Sequence, residues 1–160
     1  MTTINIQESL KTKLENEVLN ELHLFGDKTI KVFLQDLPLS EDFEVEGLPD
    51  EEKYFPCVII KAVSAEVTKP SAPQTTRIEI FAVCKDWSDD MSGYKNVAII
   101  LDRIRDYLIS EGGIHGTARL QYPLKMQMID DDFPVPFFEG SLTTLWSVET
   151  MPYKDYENLL

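Results

Sequence analysis

The order of helical and strand patterns along the chain predicts an α+β fold: a mostly antiparallel sheet with two helices packed on one face, in the order α-β-β-β-α-β-β. Three observations carry that expectation. Two segments repeat apolar residues at helical spacing, five others alternate or run apolar at strand spacing, and turn-forming residues separate them. No internal repeat or low-complexity tract interrupts the series. At 160 residues the chain has the length of one domain, residues 1–160. A content of 43% hydrophobic and 10% aromatic residues can build a core without metals or disulfides, which excludes the disordered class.

The first helix is expected over about residues 5–24. Leu10, Leu14, Val18 and Leu22 recur every four residues, Leu19 lies beside them, and Lys, Glu and Asn fill the other face. Gly26 and Asp27 supply a stop. DKTIKVFLQ then reads as a strand, with Ile30, Val32 and Leu34 on one face. Residues 36–53 read as a long solvated loop: Pro38, Gly47 and Pro49 break regular structure, and Glu41, Asp42, Glu44, Glu46, Asp50, Glu51 and Glu52 repel one another. The apolar start of FPCVIIKAVSAEV, from Phe55, predicts a strand buried on both faces. KPSAPQ is a turn, and TTRIEIFAV from Thr75 alternates, with Ile78, Ile80 and Ala82 on one side and Arg77, Glu79 and Phe81 on the other. These two strands form a long hairpin around a proline-bearing tip.

A second helix follows, capped by Ser92 or Asn96, with Val97, Ile100, Leu101, Ile104 and Leu108 in one stripe and Glu111-Gly112-Gly113 at its end. Two further strands are expected at about residues 118–129 and 138–150, the last with Leu142, Thr144, Trp146 and Val148 on one face. Residues 151–160 form a C-terminal tail.

Charge narrows the function. Fifteen Lys and Arg against 28 Asp and Glu leave a formal charge of −13 and a pI near 4.5. Such a surface repels phosphate, so a nucleic-acid-binding or anionic-membrane-binding module is not expected. No run of about 18 apolar residues is present, and the polar N-terminal MTTINIQESLKTKLENE lacks the apolar stretch of an export signal. Cys57 and Cys84 are too few for a disulfide scaffold or a four-ligand zinc site and read as reduced core thiols, a cross-strand disulfide being the alternative.

No chemistry-bearing motif stands out: there is no glycine-rich phosphate loop, no G-x-S-x-G and no H-E-x-x-H, and no Cys or Asp pattern accompanies His23 or His115. The expectation is therefore no enzyme, no catalytic residue, no cofactor and no metal. The triplet Asp130-Asp131-Asp132 reads as a solvated acidic turn, with a protein contact as the alternative. Phe133 and Phe137, in the same proline-bearing loop, suit a subunit contact if exposed. Residue types alone lead to a small acidic domain that binds something.

In order along the chain, FPCVIIK from Phe55, TTRIEIFAVCKD from Thr75, SGYKNVAIILDRIRDYL and LQYPLKMQMIDDDFPVPFFEGSLTTLWSV resemble the tail-terminator, or tail-completion, proteins of long-tailed bacteriophages of the siphophage type. The likeness covers about residues 10–148; the acidic loop and the C-terminal tail lie outside it. It implies a non-enzymatic virion protein of the phage neck, assembled in the host cytoplasm. Six subunits form a ring that caps the tail tube protein, stops its polymerisation and docks the head-completion or stopper protein, with DNA only passing through the lumen. Such a ring uses heterologous contacts. The candidate contact residues are Glu41, Asp42, Glu44 and Glu46 in the acidic loop, Lys69 and Pro70 at the hairpin tip, Arg77, and Asp130, Asp131, Asp132, Phe133 and Phe137. The rival reading is a small acidic homodimeric secretion chaperone or adaptor, distinguished by two-fold symmetry and an apolar client groove.

Overall fold

The computed structural model describes residues 2–24, 28–37, 54–86, 92–114, 118–129 and 137–150. Helix α1 (Thr3–Lys13) starts at Thr2, whose Oγ1 accepts from the Asn5 backbone N–H while its own N–H donates to Asn5 Oδ1 at 3.0 Å, a reciprocal cap. A single α-helix over residues 5–24 is not what forms. After Lys13 the chain makes one π-helical turn (Leu14–Val18) and one 3-10 turn (Leu19–Glu21), then becomes extended at Leu22. The reason lies in the spacing. Apolar residues every four positions outrun a 3.6-residue turn, and the wider turn, closed by the Leu19 N–H on the Leu14 carbonyl, keeps Leu14 and Val18 buried on the same side.

The strands are β1 (Lys31–Leu34), β2 (Cys57–Glu66), β3 (Gln74–Lys85), β4 (Gly113–Ile114), β5 (Ala118–Ile129) and β6 (Phe137–Val148), with α2 (Ser92–Glu111) between β3 and β4. They form one six-stranded sheet in the order β1-β2-β3-β6-β5-β4. Among the described residues only the β1–β2 pairing is parallel. The α+β class and the expected element order hold, with the two-residue β4 as an addition that the sequence pattern did not reveal. Asn96 lies inside α2, so of the two expected caps only Ser92 stands at its start. Gly112 ends the helix as expected, at φ +70°, with its N–H on the Leu108 carbonyl at 3.0 Å.

Both helices lie over one face of the sheet and share its core. That face presents Val32 from β1, Val58 and Ile60 from β2, Ile78, Ile80, Ala82 and Cys84 from β3, Leu142, Trp146 and Val148 from β6, and Leu120 from β5. Ile6, Leu10, Leu14 and Val18 descend onto it from the first helix, and Val97, Ile100, Leu101, Ile104 and Leu108 from α2. The alternations read from β3 and β6 are thus the buried rows. Gly93 lets the start of α2 approach β6 closely: a Cβ there would stand 2.2 Å from Cδ2 of Phe138. Within the core, Thr144 is fully buried; its Oγ1 donates to the Ile78 carbonyl and accepts from Trp146 Nε1, both at 2.8 Å. One hydroxyl thereby satisfies the indole donor that a Trp in an apolar layer must place.

The two cysteines are buried and free. Cys57 is in register with Val83, the residue before Cys84, so the two side chains leave opposite faces of the sheet and cannot be bridged. Burial pushes both thiols up to about 12. Among the described residues no helix is long and apolar enough to cross a membrane.

Two measurements check this packing. Thr144→Val, nearly isosteric, strands the indole N–H and is expected to cost about 1–3 kcal/mol in denaturant unfolding. Gly93→Ala is expected to cost about 1–3 kcal/mol as the Phe138 ring is displaced, despite the better helix propensity of alanine.

Candidate interaction surface

The sheet positions three surfaces that the core does not consume: the β2–β3 hairpin, the face opposite the helices, and the two sheet edges. The hairpin closes through Lys69-Pro70-Ser71-Ala72. Proline occupies the second position, Ser71 the third at φ 64°, and the Ala72 N–H reaches the Lys69 carbonyl at 3.1 Å, the features of a type II turn. Lys69 and Pro70 are exposed there, as a contact role requires. Thr150 holds the base of the turn by donating to the Ala72 carbonyl at 2.7 Å. From Val63 to Ser71 every residue is exposed, so this arm runs beyond the helix layer.

The face opposite the helices is graded. At one end Phe33, Tyr54, Phe55 and Phe137 form a chain of edge-to-face ring contacts, with centroid separations of 6.1, 6.4 and 5.1 Å. Cys57 and Val83 are buried beside it. Lys85 Nζ lies 6.0 Å from the Phe137 ring centre. Phe137 is therefore the first residue of β6, not a loop residue, and its ring is half-buried against Phe55 rather than freely displayed. At the other end Arg77 is exposed and pairs with Glu79 at 2.9 Å. Between them Glu139 stands in register with Val83, and burial raises its carboxyl above the ordinary range.

Glu41, Asp42, Glu44, Glu46, Asp130, Asp131, Asp132 and Phe133 lie outside the described residues, as do His115 and the tail 151–160. The structure thus places Lys69 and Pro70 together at the hairpin tip, Arg77 further along the same hairpin, and Phe137 at the aromatic end of the sheet. It does not gather the four into one patch.

A depression of about 430 Å³ lies between the first helix and α2, lined by Glu17, Glu21, Arg103, Asp106, Tyr107 and Ser110 among others. In it the Tyr107 hydroxyl donates to Glu17 Oε2, and burial together with that carboxylate raises the phenol above its ordinary range. The pair ties two helices together; a phenol held in its neutral form beside an anion is not an activated base. Among the described residues no three His, Cys, Asp or Glu side chains converge as a metal site would need.

The sequence reading missed the polar contact that ends β1. Gln35, at φ 68°, turns its carboxamide onto the backbone of β2: Oε1 accepts from the Ala62 N–H at 2.7 Å, and Nε2 donates to the Ala62 carbonyl at 3.4 Å. Buried Gln7 of α1 completes the network, donating from Nε2 to Gln35 Oε1 at 2.5 Å and to the Ile60 carbonyl at 3.0 Å. Gln7 was legible only as a polar residue near a stripe of apolar ones, and nothing in the pattern signals the left-handed Gln35.

The elevated Glu139 carboxyl makes stability depend on pH. Its folded value lies above the unfolded one, so the charged form disfavours the fold at neutral pH and the penalty is relieved as the pH falls through the folded value. Glu139→Gln is expected to raise the denaturation midpoint at pH 7, and the advantage over the parent chain should vanish below pH 4.5, where both states of the parent are protonated. An equal gain at both pH values would assign the effect to packing instead.

No family model matches the chain, and no curated protein matches it in sequence. Solved structures share the fold. One is a chain of the virion of a native gene transfer agent particle, 14% identical, with a TM-score of 0.52 over 91% of this chain and 95% of that one. Another, of unstated function, is 11% identical with a TM-score of 0.52, over 96% of this chain and 99% of the other. At these identities the likeness establishes the fold, which nearly the whole of this chain shares with that virion chain.

Proposed function

We propose that this chain is a structural protein of a phage-type virion, a tail terminator that forms a ring, six subunits around, on the end of the tail tube. The observation that carries the reading is the end-to-end match of its fold to a chain of a gene transfer agent virion, with 91% and 95% of the two chains superposing. The residue patterns that resemble tail-completion proteins span the same stretch. In this role the protein is not an enzyme. It halts tube growth by covering the last ring of tube subunits and offers its other surface to the head-completion protein.

The physical properties suit such a part. A ring that conducts DNA must not hold it, and a formal charge of −13 on each copy repels phosphate. Ring subunits meet through unlike patches, which strand edges and a projecting hairpin can supply. Many weak junctions closed into a ring hold together far better than one alone.

Electron microscopy of particles carrying this protein tests the proposal. The expected result is a six-fold ring between the tail tube and the head, and its loss should leave tubes of uncontrolled length. A protein absent from virions that purifies as a two-fold dimer around a client would overturn the reading in favour of a secretion-type chaperone.

A further inference from the structure

The sheet ends short on both sides. On one side β1 covers β2 only from Cys57 to Ile60. The Gln35 carboxamide then occupies the Ala62 N–H and carbonyl as a further strand residue would, and no strand lies beyond Ala62 among the described residues. On the other side β4 covers β5 only at Ala118 and Arg119, with the Leu120 N–H still reaching the Gly112 carbonyl. Beyond that point β5 continues to Ile129 with no outer neighbour among the described residues. Among the described residues each edge therefore leaves a run of backbone without a strand partner, about the length of an ordinary ladder.

Both runs carry exposed apolar side chains where a surface is usually polar. Of the large hydrophobic side chains exposed in the described structure, Val63 (47%) belongs to the first edge, Val67 (48%) follows it by one residue, and Tyr122 (65%) and Met126 (40%) belong to the second. Neither run shares the acidic excess of the chain as a whole. Residues 118–129 contain Arg119 and Lys125 and no acidic residue, and residues 61–69 contain Lys61 and Lys69 against Glu66 alone. Copies that each carry −13 meet with least repulsion at such places. Each edge has an irregularity, between Ala62 and Ser64 and between Gln121 and Lys125, and past it the strand resumes regular pairing, over Ser64–Glu66 and Lys125–Ile129. The regular parts remain competent to extend the sheet.

We infer that the outer edge of β2 in one copy pairs with the outer edge of β5 in the next, joining the sheets of neighbouring subunits into one belt; the inference rests on the ring-forming role proposed above. Direction follows from the topology. β2 is antiparallel to β3, β3 to β6 and β6 to β5, so β2 and β5 run oppositely within one copy. Register across one copy sets Ser64–Glu66 level with Arg119–Gln121, beside β4, and Lys125–Ile129 level with Cys57–Lys61, beside β1. A neighbour related by rotation about an axis inclined to the strands, as in a barrel, slides its β5 along β2 until the two free runs meet, and keeps them antiparallel. The junction is heterologous, a different patch from each copy, which a closed ring requires. Val63 and Val67 then lie against the Tyr122 and Met126 side of the neighbour.

Two variants test this, each altering only exposed side chains: Val63→Asp with Val67→Asp on one edge, and Tyr122→Asp with Met126→Asp on the other. Circular dichroism and thermal unfolding establish that each still folds, and native mass spectrometry with sedimentation follows assembly of the full chain. Each variant alone is expected to weaken self-association by roughly thirtyfold or more. Mixed together they should form a heterodimer, because one intact β2 edge and one intact β5 edge remain, and no larger ring. If the β5 variant assembles like the parent while the β2 variant does not, the contact is β2 to β2 and the inference fails. Rings from both folded variants, at parental affinity, would place the junction elsewhere and leave the terminator reading standing. A parent chain that remains monomeric at every concentration and on tail tubes would overturn the ring, and the junction with it.

Discussion

Everything in this fold hangs on the ladder between β3 and β6. Twelve residues of each strand pair without a break, from Gln74 opposite Val148 to Lys85 opposite Phe137. The strands lie far apart in the chain, at Gln74–Lys85 and Phe137–Val148, so the pairing carries the cost of closing a long loop before it returns any stabilisation. Once made, it sets a common register for two apolar rows, Ile78, Ile80 and Ala82 beside Thr144, Leu142 and Gly140. α2 lies over this seam, and Gly93 and Phe138 fix how closely it can approach. A slip of one residue would turn both rows toward the opposite face at once.

The same ladder decides which surfaces are left for partners. With β3 and β6 central, β2 and β5 become the flanks, and the strands outside them are only four and two residues long. The flanks are long and their covers are short, so among the described residues both flanks run on past the strands that cover them. The Gln35 carboxamide answers this at one residue, Ala62, and no further. Buried Gln7 pins that carboxamide from the helix side, so the place where coverage stops is held by a polar network inside the protein, not left to a mobile chain end. An acidic exterior and less acidic edges are then complementary properties. A net charge of −13 works against the close approach of like copies, and the exposed runs at the two edges carry little of it.

The aromatic end of the sheet shows how position overrides residue type. Phe137 has the composition and the neighbours of an exposed loop residue: proline before it, acidic residues beyond. It is instead the first rung of β6, and Phe55, arriving with β2 two strands away, covers its ring. Glu139 in the same strand keeps a carboxylate where burial disfavours its charge, a local cost that the ladder tolerates because the strand around it is held on both sides.

What the residues determined by themselves was the local grammar. The alternation of Ile78, Ile80 and Ala82, the stripe from Val97 to Leu108, the turn at Pro70 and the helix stop at Gly112 all follow from periods of two and 3.6 and from the backbone limits of proline and glycine. These are short-range constraints, and they were legible as such. The π-turn at Leu14–Val18 was only half legible: the four-residue spacing was visible, but the sheet surface that rewards keeping Val18 inward was not. The tertiary structure alone decided the strand order, the parallel pairing of β1, the two-residue β4, the union of Gln7, Gln35 and Ala62, and which strands became edges. Each of these depends on which segments far apart in the chain come together, and the period of a single segment carries no information about its neighbour in space.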